Sequence, residues 1–229
     1  MRKSAHLYTL GLCLLAPLTA PADGDLQSWN TLTLVAYQDA AWKAQVFGEN
    51  RYAGDVFLAS WLVGPKVFYQ ANDHLELALG GTYQEVRSSE DADFNSVFRF
   101  EPEANLQLDL GSSFALDVRN RLEVRLTEVV GDGANVRYRA RPRFSWKPDG
   151  LGPLRSLAVA NEVFWSFEGD YFAENRFFPV MASFALFDGA SLGSYFMLRT
   201  RRGDPNADWG TDYLIGLNLT VNLPTVLSD

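Results

Sequence analysis

Phe98-Arg99-Phe100-Glu101-Pro102-Glu103-Ala104-Asn105-Leu106-Gln107-Leu108-Asp109-Leu110 is the stretch that decides the fold class. Every even position is apolar, and every odd position is charged or an amide. Successive side chains of an extended chain point to opposite sides, so an unbroken alternation of this length predicts one long strand with an apolar face and a charged face. The next segment repeats the pattern. Phe114, Leu116, Val118, Leu122, Val124 and Leu126 stand opposite Asp117, Arg119, Arg121, Glu123 and Arg125, with Asn120 the one polar residue on the apolar side. A third sets Val136, Tyr138, Ala140, Pro142, Phe144 and Trp146 against Arg137, Arg139, Arg141 and Arg143.

Outward from this centre, weaker alternation predicts strands near 28–37, 41–52, 57–70, 75–86, 155–168, 173–187, 190–201 and 209–223. Turn-forming residues separate them at Gln38-Asp39-Ala40, Ala71-Asn72-Asp73, Gly111-Ser112, Lys147-Pro148-Asp149-Gly150 and Asp188-Gly189. Longer polar connections run from Arg87 to Asp93, Val129 to Asn135 and Arg201 to Asp208. The segments number eleven, whereas single-chain bacterial membrane barrels have even strand numbers. The expectation is therefore a barrel of 10–12 strands, with ten or twelve favoured. Either one segment does not span, or 57–70 breaks at Gly64-Pro65. With the short turns on the periplasmic side, the C-terminus is periplasmic.

Alternation alone serves two opposite architectures: a soluble barrel or sandwich with its apolar face inside, and a membrane barrel with that face toward lipid. Strands of ten to fourteen residues match the ~9–11 needed to cross a bilayer at a tilt and exceed the ~5–6 typical of globular proteins. Aromatic residues near the ends of the apolar faces (Phe98, Phe100, Phe114, Trp146, Trp165, Phe167, Trp209 and Tyr213) suit the girdles of a membrane barrel. The polar faces are dense in guanidinium and carboxylate groups, which satisfy one another across neighbouring strands in a narrow lumen. The expected ion-pair network comprises Arg99, Glu101, Glu103, Arg119, Arg121, Glu123, Arg125, Arg137, Arg139, Arg141 and Arg143. The reading is an all-β, antiparallel up-and-down transmembrane barrel, with a soluble secreted β-protein as its alternative.

The start of the chain differs from the rest. Arg2 and Lys3 precede an apolar stretch from Leu7 to Leu18, and Ala20-Pro21-Ala22 supplies small residues for cleavage. That predicts a signal peptide over 1–22 and a mature barrel domain over 23–229. About twelve apolar residues are too few to cross a ~30 Å hydrocarbon layer as a helix. The single cysteine, Cys13, follows Leu12 inside the signal, so no lipid anchor, thiol or disulfide is expected in the mature protein. Without Arg2 and Lys3, 18 basic residues face 28 acidic ones, a net charge near −10. Such a balance argues against nucleic acid as a partner, because phosphate binding needs a positive field. The expected partners are outer-membrane lipid and, during biogenesis, barrel-assembly machinery.

No catalytic constellation stands out, and no cofactor or metal is expected. His74 is the only histidine after the signal. Its neighbour Asp73 shares its turn, while Ser88 and Ser89 lie about ten extended residues, or ~33 Å, away. A serine without an adjacent base is a poor nucleophile. Glu90-Asp91-Ala92-Asp93 lacks the glycine and distal glutamate of a calcium loop. Glu101, Glu103 and Glu123 share their faces with eight arginines, which favours structural pairing over acid–base work.

The order of segments resembles an uncharacterised barrel family, domain-of-unknown-function family 2490. The resemblance rests on Gln27-Ser28-Trp29-Asn30, Phe98-Arg99-Phe100-Glu101-Pro102-Glu103, Asn120-Arg121-Leu122-Glu123-Val124-Arg125 and Val136-Arg137-Tyr138-Arg139-Ala140-Arg141-Pro142. Asn161-Glu162-Val163-Phe164 and Glu174-Asn175-Arg176-Phe177 fit as well, so it covers about 25 to 223. It implies an outer-membrane-type barrel of unknown function and transfers no catalytic residue. The chain departs from many such barrels in ending Thr225-Val226-Leu227-Ser228-Asp229 rather than on an aromatic, although Gly216 is followed by alternating Leu217, Leu219 and Val221. Three functions stay open: a structural or accessory barrel closed by its Arg/Glu network, a small channel for anionic or polar solutes, and a disfavoured lipid-modifying enzyme.

Overall fold

A computed structural model describes residues 26–54, 57–127 and 134–224. The expected signal peptide, its cleavage site, Cys13 and the terminal Thr225 to Asp229 lie outside the described residues. Eleven strands follow in order: β1 (Leu26–Gln38), β2 (Trp42–Ala53), β3 (Phe57–Asn72), β4 (Leu75–Val86), β5 (Asn95–Asp109), β6 (Phe114–Thr127), β7 (Asn135–Trp146), β8 (Leu154–Ser166), β9 (Tyr171–Phe187), β10 (Ala190–Arg201) and β11 (Gly210–Asn222). Each of the eleven alternating segments forms a strand.

Consecutive strands pair antiparallel, and the sheet closes on itself through β1 and β11. An odd number of strands laid up and down leaves the first and last pointing the same way. The closing pair is accordingly parallel, from Leu26 opposite Tyr213 to Val35 opposite Asn222. The strand number falls within the expected range, but the preference for an even number does not hold. Nor does β3 break at Gly64-Pro65: it runs without interruption through both residues.

Proline tolerance has a common geometry. Pro65, Pro102 and Pro142 keep their places opposite Val46, Leu79 and Val118 on the preceding strand. Toward the following strand the pairing skips two positions at each of them. Pro179 lies where the β9–β10 register shifts. Proline has no N–H to donate, so it can sit inside a barrel strand only where the ladder on one side does without that bond. At Gly64 the skip brings backbones together: an added Cβ would run into the Gly81 carbonyl and reach 3.0 Å from the Thr82 Cα.

The faces are arranged charged side in. Phe98, Phe100, Leu106, Leu108, Leu122, Leu126 and Phe144 all project outward and are exposed, whereas Glu101, Glu103, Arg121, Glu123 and Arg139 are buried in the lumen. The apolar cluster of the interior, Trp29, Ala160, Phe178, Met197 and Leu214 with Met181 and Tyr195 against it, comes from β1 and β8 to β11. Among the described residues, the lumen thus carries ion pairs on every strand but β1, with its apolar cluster on β1 and β8 to β11.

Candidate functional site: a ring of three arginines and three glutamates in the lumen

Adjacent strands lie ~4.8 Å apart, so inward residues at matching register bring their heads within hydrogen-bond reach. Glu103, Arg121 and Arg139 are successive register partners, as are Glu123 and Arg137. Glu123 is fully buried and accepts hydrogen bonds from Arg137 Nη2 at 2.7 Å and Arg139 Nη1 at 2.8 Å. Arg139 Nη2 donates onward to Glu162 Oε1 at 3.1 Å. Glu162 lies 3.8 Å from Arg176 Nη1, Arg176 Nε donates to Glu174 at 2.6 Å, and Glu174 lies 3.9 Å from Arg137 Nη1. The six groups close a circuit in which positive and negative charges alternate.

Phe164 is the hub of that circuit. Its side chain has no solvent exposure, and the guanidinium carbons of Arg176, Arg139 and Arg137 lie 4.4, 4.5 and 5.3 Å from its ring centre. An aromatic face attracts cations, and within a desolvated lumen the attraction is strong. A charge circuit removed from water depends on pairing of this kind, because each unmatched charge would carry its full desolvation penalty.

The ring separates two spaces. Arg137 and Glu174 line a vestibule of about 450 Å³ at the end of the barrel that carries the longer connections. Arg139, Glu162 and Arg176 line a lumen cavity of about 320 Å³ on the other side. No residue borders both, and Glu123 borders neither. Below the first cavity, a chamber of about 260 Å³ continues toward the short turns and shares Gln45, Lys66, Arg119 and Arg141 with it.

Other expected members of the network lie around the ring. Lys66 donates to Glu103 at 2.8 Å; Arg121 pairs with Glu103 through Nε and with Glu101 through Nη1 at 3.1 Å. Arg119 donates to Glu162 at 2.5 Å, and Arg125 stands 3.4 Å from Glu123. Arg143 pairs apart from the rest, with Asp117 at 2.9 Å. Arg99 and Arg141 have no carboxylate within ion-pair distance among the described residues. Lys66, Glu162, Phe164, Glu174 and Arg176 escape a reading by alternation, since their strands alternate weakly. The four-residue motifs around Glu162 and Glu174 that carry the family resemblance were the available signal.

The eight aromatic residues of the expected girdles are all exposed on the outer face. Phe114 and Trp146, register partners, mark the end with the short turns, whereas Phe98, Trp165, Phe167, Trp209 and Tyr213 mark the opposite end. Phe100 lies one outward step inside Phe98. Trp29, from the first motif, faces inward and takes the Arg51 guanidinium at 4.0 Å and that of Arg176 at 5.0 Å. His74 sits in the turn between β3 and β4 with Nδ1 3.1 Å from the Gln107 carbonyl, while Ser88 and Ser89 follow β4 at the other end of the barrel.

Residues 26–201 match the family described as "Protein of unknown function (DUF2490)". No curated protein and no solved structure matches the chain. The family match runs from the first residue of β1 to the last of β10 and contains all six ring residues and Phe164. The chain is an eleven-stranded barrel with an internal Arg/Glu salt-bridge network, and it belongs to the DUF2490 family.

Proposed function

We propose that the protein spans the bacterial outer membrane as a closed barrel, with the Arg/Glu ring as a plug that makes it a structural or accessory component rather than an open pore. The observation that carries this is the outward apolar face. Large apolar side chains are exposed on all eleven strands except β1 and β10, whereas a soluble monomer rarely shows a contiguous apolar patch beyond ~300–600 Å². The belts are spaced to suit a bilayer. Leu126, level with Phe98, and Phe114 are twelve residues apart on β6, about 40 Å along the strand. At a tilt of ~40° that projects to about 30 Å, the hydrocarbon thickness.

The structural role is favoured over catalysis because every ring carboxylate is engaged by at least two cations. His74, at a turn, has its ring on a backbone carbonyl and makes no hydrogen bond to a serine among the described residues. Membrane fractionation and heat-modifiability of the mature protein test the placement. Recovery with outer membranes, with a band that migrates differently before and after boiling, is expected; recovery in the soluble fraction would overturn it. Planar bilayers test the plug. The wild-type barrel is expected to show no steady conductance, and an ohmic, anion-selective conductance would replace the plug by a channel.

A further inference from the structure

We infer that the lumen cavity below the ring is a binding site for a small organic anion, with Arg141 holding the anionic head and apolar side chains of the same cavity holding the body. This goes beyond a closed barrel, which needs no ligand, and does not depend on which membrane holds it.

The charge pattern comes first. Arg119 and Arg141 are register partners on β6 and β7, with both side chains inward. Like charges directly opposite on adjacent strands destabilise a sheet unless something neutralises them. At Arg121 and Arg139, also register partners, the chain does this itself, each meeting two carboxylates; at Arg99 and Arg125 it does so only through Glu123, 3.4 Å from Arg125. At Arg119 and Arg141 the balance is incomplete. Arg119 has one carboxylate, Glu162, which also serves Arg139 and Arg176; Arg141 has none among the described residues. The Nε–H groups of both, like those of Arg99, Arg125 and Arg137, are buried with no hydrogen-bond acceptor among the described residues. Eight basic and three acidic side chains line the cavity, an excess of positive charge inside an acidic protein.

The second element is shape. A cavity of about 320 Å³ is roomy enough for a small ligand. Arg141 borders both this cavity and the chamber below it. That chamber contains Arg143 and Asp117, whose side chains are 39% and 28% exposed, so solvent reaches it from the end with the short turns. The same cavity is lined by Trp29, Phe178, Met181 and Met197. A planar guanidinium with free donors selects carboxylate or phosphate by paired hydrogen bonds. Apolar side chains in the same cavity select a ligand that carries a hydrocarbon or aromatic body. Inorganic anions satisfy only the first requirement, neutral apolar solutes only the second.

Phenyl phosphate is a soluble probe with both parts. Titrated calorimetrically into the mature barrel in non-ionic detergent, it is expected to bind saturably at one site per chain. Inorganic phosphate and phenol, each half of the probe, should bind at least ~10-fold more weakly, and Arg141→Gln should weaken the probe by a similar factor. Lys147→Gln, at an exposed turn, should leave binding unchanged. Because no carboxylate among the described residues lies within ion-pair distance of Arg141, Arg141→Gln should also unfold no earlier than the wild type in anion-free buffer, whereas an arginine kept for structure would destabilise when lost. Should that variant yield no heat-modifiable band, Arg141→Lys retains the charge without the planar fork and is expected to bind the probe more weakly than the wild type. Absence of saturable binding, undiminished binding by the folded Arg141 variants, or equal affinity for inorganic phosphate would overturn the inference.

Discussion

The guanidinium carbon of Arg139 lies 4.5 Å from the centre of the Phe164 ring, and Arg139 also links Glu123 to Glu162. The aromatic face and the two carboxylates hold one cation from three sides. Phe164→Ala removes a fully buried ring and the support of three guanidinium groups, with an expected loss of ~3–5 kcal/mol. Phe164→Leu retains most of the volume but lacks the negative face, and should lose less, ~1–2 kcal/mol. The urea concentration at which the folded, fast-migrating band disappears reads both.

Glu123 is the most deeply buried member of the ring. Glu123→Gln keeps the shape but leaves Arg137 and Arg139 short of a negative charge, and should cost ~3–5 kcal/mol. Asp109→Asn, which breaks an exposed pair with Lys147, should not move the same unfolding midpoint. Equal effects from the two would contradict a lumen network that holds the barrel together.

Removing a matched pair separates plugging from folding. Glu123→Ala with Arg137→Ala deletes one anion and one cation, so the net charge of the interior is unchanged while the partition between vestibule and cavity thins. In planar bilayers this double variant is expected to show discrete conductance steps absent from the wild type. A silent double variant that still folds would place the barrier elsewhere in the lumen.

Gly216 faces Tyr195, its register partner on β10, and an added Cβ would fall within the Tyr195 ring. Gly216→Ala should therefore destabilise the β10–β11 seam by ~1–3 kcal/mol. Combining it with Tyr195→Ala should cost less than the sum of the two single changes, because the clash disappears with the ring.

The turn between β1 and β2 contributes to the pH dependence of stability. The Tyr37 hydroxyl donates to the Asp39 carboxylate, as do the Trp42 and Ala41 N–H groups at 2.6 and 2.8 Å, and these bonds hold its pKa below the ordinary value. An unfolded aspartate titrates near ~3.9. The contribution of this turn is thus complete above that pH and disappears as pH falls through the lower folded value. Asp39→Asn should flatten the acid limb of the stability profile below about pH 4, leaving its shape near neutrality unchanged.

Period-two alternation is a local property, and it determined the eleven strands, their approximate ends and the separation of arginine and glutamate from phenylalanine and leucine on β5, β6 and β7. It did not determine which face lies inside, because the same alternation folds into a sheet of either sense; only closure, with the exposed side of each strand in view, decides that. Closure also decides how an odd number of strands seals. An odd meander can seal only through a parallel β1–β11 pair, and no feature of either strand alone announces it. The ring around Phe164 is a tertiary fact as well. Its carboxylates come from β6, β8 and β9, and their meeting across the lumen depends on the curvature and register of every strand between them. The same geometry leaves Arg141 with no carboxylate within ion-pair distance among the described residues, although in sequence it is one of four alternating arginines and indistinguishable from Arg139.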